Sequence, residues 1–181
     1  EVNVLIVWIR RVNLKILGID PGYAIVGYGI IDADGFDMRA IDYGVVSTPS
    51  RMPFEQRLIA IYTAMKQLID RYQPEAIAIE ELFFAQNTTT AIAVAEARGV
   101  IILAAAQSNI DIFEFKPSQV KSAVTGYGQA NKYQVQEMVK TLLKLREVPK
   151  PDDAADALAV AIAQANNNIG NYGQKLRGGY Q

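Results

Sequence analysis

The residues best placed to do chemistry in this sequence are carboxylates: Asp20, Glu80 with its neighbour Glu81, and the group Asp152, Asp153 and Asp156. Asp20 closes the largely apolar run Leu14-Lys15-Ile16-Leu17-Gly18-Ile19, and Glu80 closes Ala76-Ile77-Ala78-Ile79 in the same manner. A buried strand that ends in a carboxylate has a use for it, although Asp before Pro21-Gly22 is equally a turn initiator. Alternation along a strand sends Glu80 and Glu81 to opposite faces, so only one of them can join Asp20. Asp153 and Asp156 stand three apart, on one face of a helix rich in Ala and Leu. Asp152, after Pro151, is suited to capping that helix. Complementing the helix dipole accounts for Asp152 and tolerably for Asp153, but poorly for Asp156, which lies further in. If the strands ending in Asp20 and Glu80 are parallel neighbours, their carboxylates converge and repel unless a cation lies between them. Four such groups supply oxygen ligands for two divalent ions. That arrangement activates a water and stabilises the leaving oxygen of an in-line phosphoryl displacement.

The rest of the composition narrows the chemistry to this. The chain has no Cys and no His, which removes disulfides, thiolate nucleophiles, imidazole-ligated zinc and Ser-His-Asp triads. Half of its 181 residues are apolar and 20% are charged, the profile of one soluble globular domain. No apolar run is expected to span a membrane. Val4 to Ile9 is too short for a signal core, and Arg10 and Arg11 follow it instead of preceding it, so a cytoplasmic protein is expected. The net charge of −1 advertises no nucleic-acid partner. From Lys116 to Lys150, however, seven basic residues face only two acidic ones, enough for a local phosphate-attracting face or simply a solvated one.

The elements that must position these groups follow from apolar periodicity. Leu14 to Asp20, Ala24 to Ile31 and Met38 to Ser47 read as strands, joined by turns at Pro21-Gly22 and Asp34-Gly35. Leu58, Ile61, Met65, Leu68 and Ile69 make a helical stripe between Pro53 and Tyr72. Ala76 to Glu80 is a short buried strand, Thr88 to Ser108 a helix, and Ile110 to Phe115 a fifth strand. Helices follow at about Pro117–Val124, Lys132–Leu145 and Asp153–Ala165. A run of strands followed by strand–helix alternation predicts an α/β protein, a five-stranded mixed sheet flanked by helices. Residues 14–166 form this domain, residues 1–13 are an extension of unassigned structure, and residues 167–181, rich in Asn and Gly, read as a flexible tail.

Four stretches carry a resemblance to the RuvC family of bacterial Holliday-junction resolvases, spanning about Leu14 to Asn166. They are Ile16-Leu17-Gly18-Ile19-Asp20-Pro21-Gly22, Ala78-Ile79-Glu80-Glu81-Leu82-Phe83, Gly126-Tyr127-Gly128-Gln129-Ala130-Asn131-Lys132 and Asp153-Ala154-Ala155-Asp156-Ala157-Leu158-Ala159. The resemblance implies a ribonuclease H-like fold, a homodimer acting on four-way junction DNA, and paired nicks under Mg²⁺ or Mn²⁺, with two ions per site. It assigns the metal-binding carboxylates to Asp20, Glu80, Asp153 and Asp156. It also places Lys121 and Lys132 at the DNA backbone and Phe83 against an unpaired base, and implies the branch-migration helicase as a partner. Some relatives carry a histidine near the last carboxylates; this chain has none.

Other readings remain beside it: another ribonuclease H-like nuclease acting on hybrids or other branched structures, or a junction-binding module without catalysis. An actin-like ATPase, which also opens with Gly-Ile-Asp, needs a second duplicated domain that this length leaves no room for.

Overall fold

Two hairpins open the fold. Strands β1 (Leu14–Asp20), β2 (Ile25–Asp34) and β3 (Asp37–Ser47) pair antiparallel in sequence, with Gly35 at φ 61° in the second turn, the left-handed conformation that glycine adopts without steric cost. The computed structural model describes residues 13–82, 88–170 and 174–175. Helix α1 (Phe54–Tyr72) returns the chain to strand β4 (Ala76–Glu80), which lies parallel to β1. Helix α2 (Thr88–Gln107) leads to β5 (Asp111–Phe115), parallel to β4. Three helices complete the order: α3 (Pro117–Thr125), α4 (Lys132–Leu142) and α5 (Asp152–Gly170). The sheet runs β3-β2-β1-β4-β5, and a two-residue strand β6 (Gln174–Lys175) adds to its edge.

Alternation along the strands sorts the core into two layers. Leu17 and Ile19 of β1 and Ile77 and Ile79 of β4 face Ile61, Met65 and Ile69 of α1 and Ala97, Ile101 and Ala104 of α2. Ile16 and Ala78 face the other way, onto Leu158, Ala161 and Ile162 of α5 with α3 and α4 behind. Gly18, Asp20 and Glu80 share the parity of this second set, so both strand-ending carboxylates point to the α5 side, and Glu81 has the opposite parity.

α5 lies unusually close to the sheet, and the sequence explains how. Its inner face is alanine at 154, 155, 157, 159, 161 and 163, all buried, and it crosses strands that present Gly18, Gly27 and Gly29. A Cβ built on Gly18 would stand 2.1 Å from the Ala157 carbonyl oxygen, and one on Gly27 would stand 2.0 Å from that of Asp153. The helix therefore rests on bare backbone.

The helix ends differ from the expected ones at α4, which stops at Leu142 instead of Leu145, and at both ends of α5. α5 runs to Gly170 instead of stopping near Ala165, because Asn167 is buried and Asn166 donates from Nδ2 to the Ala123 carbonyl at 2.9 Å; the stretch read as tail thus begins as ordered helix. Asp152 is not the helix cap. It lies inside the first turn, where Ala154 and Ala155 N–H donate to the Pro151 carbonyl, and its carboxylate turns to two lysines instead. α2 also corrects an expectation, since Thr90–Gln107 is long and apolar enough, by length and composition, to cross a membrane. Its inner residues Ala97, Ile101, Ala104 and Ala105 line the core, and its buried Arg98 pairs with Glu114 on β5. It packs on the core along this one face and leaves its outer face, with Ile92 and Leu103, exposed. Residues 1–12, and with them almost all of the extension, lie outside the described residues.

Candidate active site

The parallel register Ile16↔Ala76 through Ile19↔Ile79 brings the ends of β1 and β4 side by side, so Asp20 and Glu80 emerge together on the α5 face. Asp20 pairs across the hairpin with Gly27, the same glycine on which the Asp153 backbone rests. That contact delivers the first turn of α5, with Asp153 and Asp156, over the strand ends. The four carboxylates come from strands and a helix far apart in sequence and meet at one edge of the sheet.

The turn following Asp20 is held from behind. Arg57, almost fully buried on α1, donates to the carbonyls of Thr48 at 3.3 Å and Pro49 at 2.8 Å and to the Thr48 hydroxyl. Its guanidinium lies 5.6 Å from the centre of the Tyr23 ring. Thr48 in turn donates its N–H to the Ala24 carbonyl at 3.0 Å. The bends after β1 and β3 are thereby tied together, and composition alone gave no sign of this clasp.

Electrostatics show what the cluster lacks. Asp20 is pushed up from 3.8 to about 7 by burial and then by the charges of Glu80, Asp156 and Asp153, against which Lys132 works. Glu80 is pushed up from 4.5 to about 7 by burial and by Asp156, eased by Lys121. Burial also raises Asp156, although Lys132 opposes it. These carboxylates are short of positive charge.

Lys132 supplies part of it. Its Nζ lies 3.1 Å from Asp156 Oδ2 and 3.3 Å from Asp152 Oδ2, and Lys150 holds the other Asp152 oxygen at 2.9 Å. Burial disfavours the Lys132 ammonium, but its hydrogen bonds and charge contacts with Asp156 and Asp152 outweigh this and raise its pKa. Asp152, bridging Lys150 and Lys132, is held down at about 2. Sequence reasoning missed this bridge; the signal was an acidic triplet and a lone lysine after the Gly-Tyr-Gly loop, each needing a partner. Glu80, Lys121, Lys132 and Asp156 line one cleft of about 270 Å³, backed by Val120 and Val135. Phe83 and Phe84 lie outside the described residues.

The donor set suits a hard divalent cation: oxygen ligands, half-buried, mutually repelling, with no softer ligand available in the chain. Among the described residues, no three acidic side chains stand at ready ligating distance from a common point. The raised pKa values have a measurable consequence. The folded protein holds protons on Asp20 and Glu80 up to about 7, whereas the free groups lose them near 3.8 and 4.5. Stability contributed by these two groups is thus full below about pH 4 and lost as the pH rises through about 7. We expect Mg²⁺ to raise the melting temperature more at about pH 8 than at about pH 5, read by thermal unfolding with and without EDTA. An equal rise at both would refute the repulsive cluster.

Comparison with known proteins places this geometry. A family model described as "Crossover junction endodeoxyribonuclease RuvC" matches residues 16–164. Proteins of that name from Alkaliphilus metalliredigens and Brevibacillus brevis are similar, at 57% identity over 84% of this chain and 93% of the relative and 53% over 84% and 92%. Among solved structures, Thermus thermophilus RuvC in complex with Holliday junction substrate superposes with a TM-score of 0.85 at 33% identity, covering 90% of this chain and 99% of that one. The yeast mitochondrial Holliday junction resolvase Ydc2 shares the fold, with a TM-score of 0.61 at 14% identity over 84% of this chain and 79% of its own.

Proposed function

Because the chain belongs to the RuvC family of crossover junction endodeoxyribonucleases and has its ribonuclease H-like fold, we propose that it resolves four-way DNA junctions by paired hydrolytic nicks at the Asp20–Glu80–Asp153–Asp156 cluster. The observation that carries this is the convergence of four half-buried carboxylates, two of them, Glu80 and Asp156, in a cleft whose other charged walls are lysines. The family implies a divalent metal. Asp20, Glu80, Asp153 and Asp156 would hold it, as two Mg²⁺ ions with Mn²⁺ able to substitute. Held by these carboxylates, the ions would supply Lewis-acid stabilisation for the charge that develops on the attacking and leaving oxygens.

The protein's own groups do the rest. Lys121, which eases the charge on Glu80, and Lys132 give the cleft its attraction for a phosphodiester. Asp152 and Lys150 hold Lys132 at the rim, so its ammonium meets the backbone already oriented. In-line displacement would leave a 3′-hydroxyl and a 5′-phosphate. Phe83, three residues beyond Glu80, would stack on an unpaired base at the branch point.

A symmetric four-way substrate calls for a two-fold enzyme, and a homodimer supplies two cutting sites related by that axis. α2 suits the contact: its outward residues Ile92 and Leu103 are exposed, as is Ile59 on α1, against which α2 packs. The branch-migration helicase would be a further partner, and the cytoplasm the place of action.

The test is incubation with labelled four-way junction, linear duplex and RNA–DNA hybrid, each with Mg²⁺ or EDTA. Symmetric, ligatable, metal-dependent nicks in the junction alone are expected. Cutting of the hybrid instead would move the activity to a ribonuclease H. Binding to the junction without cutting would leave a non-catalytic module.

A further inference from the structure

Next to the catalytic cleft lies a second depression of about 340 Å³, lined by Thr125, Tyr127, Ala130, Tyr133, Glu137 and Met138. The first turn of α4 divides the two: Lys132 and Val135 line the cleft, Tyr133 lines the depression. Tyr127 and Tyr133 are 57% and 70% exposed, which leaves two aromatic faces in water beside the groups that meet the scissile phosphate.

These rings stand on rigid supports. Gly126, at φ 77°, donates its N–H to the Ser122 carbonyl at 2.8 Å, and Ala130 N–H donates to the Tyr127 carbonyl at 3.0 Å. Tyr127 N–H donates to the Thr125 hydroxyl at 3.1 Å, and the Tyr127 hydroxyl donates to Gln129 Oε1 at the same distance. Tyr133 follows a reciprocal cap in which Asn131 and Gln134 each accept from the other's backbone N–H at 2.9 Å. The backbone that carries both rings is therefore fixed before anything binds, and the Tyr127 ring is held as well through its hydroxyl.

The lining also selects the kind of occupant. Glu137 lies one helical turn after Tyr133, on the same face, and its carboxylate, with the Lys140 ammonium 4.0 Å away, favours a hydrogen-bond donor over a phosphate in the depression. A nucleobase has no charge to repel, offers N–H donors to that carboxylate, and stacks on aromatic faces. The loop and first turn of α4 that carry Lys132 into the cleft also carry both tyrosines, so a strand held at Lys132 would lie near them.

Resting on the junction-resolving function above, we propose that Tyr127 and Tyr133 form a stacking site for an unpaired base of the strand being cut. This gives the Gly126–Lys132 loop two adjoining roles: a phosphate contact through Lys132 and a base contact through the tyrosines.

The experiment measures junction affinity, without added metal, for the wild type, Tyr127→Ala, Tyr133→Ala and Tyr133→Phe. Junctions carry 2-aminopurine at single positions flanking the cut. We expect each alanine variant to bind about ten-fold more weakly. The phenylalanine variant should stay within about two-fold, since the stacking face is kept. Wild-type protein should quench 2-aminopurine at one flanking position, and the alanine variants should lose that quench. If the wild type binds and nicks the junction but the alanine variants keep full affinity and full quench, the stacking site is wrong while the resolvase function stands. Weaker binding with no position-specific fluorescence change would also overturn it, as would weakening by Tyr133→Phe equal to that by alanine. A wild type that neither binds nor nicks the junction would overturn both.

Discussion

Asp20→Asn is expected to abolish junction nicking while making the metal-free protein more heat-stable. Removing a group that merely supports a metal ligand costs about 10–100-fold in affinity or activity, so removing a ligand should cost roughly 10³-fold or more. The opposite effect on stability follows from the cluster itself. Asp20 sits among Glu80, Asp156 and Asp153 with its pKa pushed to about 7, so at about pH 8 the folded state carries a charge that its surroundings resist. A tenfold change in proton affinity corresponds to about 1.4 kcal/mol, so the neutral amide should recover roughly 2–4 kcal/mol. That corresponds to about 5–15 °C in a domain of this size. Nicking assays and thermal melts in EDTA read the two effects on one preparation. An Asp20→Asn protein that melts lower than the wild type would mean that Asp20 is held by favourable contacts and is not part of a repelling cluster.

The second large effect concerns the glycines beneath α5. Gly18→Ala should destabilise the fold by about 3 kcal/mol, at the upper end of the cost of overpacking. The added methyl meets the Ala157 carbonyl, the Ala161 nitrogen and the Ala161 Cβ at 2.1, 2.6 and 2.8 Å, and two of these three are backbone atoms that cannot rotate away. Gly27→Ala meets the Asp153 carbonyl at 2.0 Å, near the beginning of α5, where the helix can tilt more easily. Its stability loss should be smaller and its activity loss larger. A displacement of about 1 Å in a catalytic group can cost on the order of 10²-fold, and Asp153 is what the methyl pushes. Urea unfolding and nicking rates on both variants separate these effects. Equal stability and equal activity in the two would refute direct backbone contact.

Much of this site is legible in the sequence alone. Asp20 and Glu80 stand out because a carboxylate at the end of an apolar strand is anomalous, and Asp156 because the helix dipole does not account for it. The period-2 and period-3.6 patterns locate the five main strands and the helices, since those patterns record burial directly. What escapes depends on contacts between elements distant in sequence. Asp152 looks like a cap because capping is local, yet its carboxylate is taken by Lys132 and Lys150. The Arg57 clasp joins a helix to two turns through bonds to carbonyls, for which no residue spacing codes. Gly18, Gly27 and Gly29 read as ordinary strand glycines, because nothing in a strand's own pattern reveals that a helix will lie against it.

The dependence of the site on α5 has a consequence for how the protein is made. Asp20 is in the first strand of the sheet and Asp156 in the last long helix. At roughly 5–20 residues per second, a ribosome takes on the order of ten seconds to carry synthesis from one to the other. Until the last part of that interval the nascent chain lacks the helix that covers the glycine-lined face of its strands, and at least half of its acidic cluster is still unsynthesised. A chain built in this order would gain the carboxylate cluster proposed to cut DNA in the same step that seals its core.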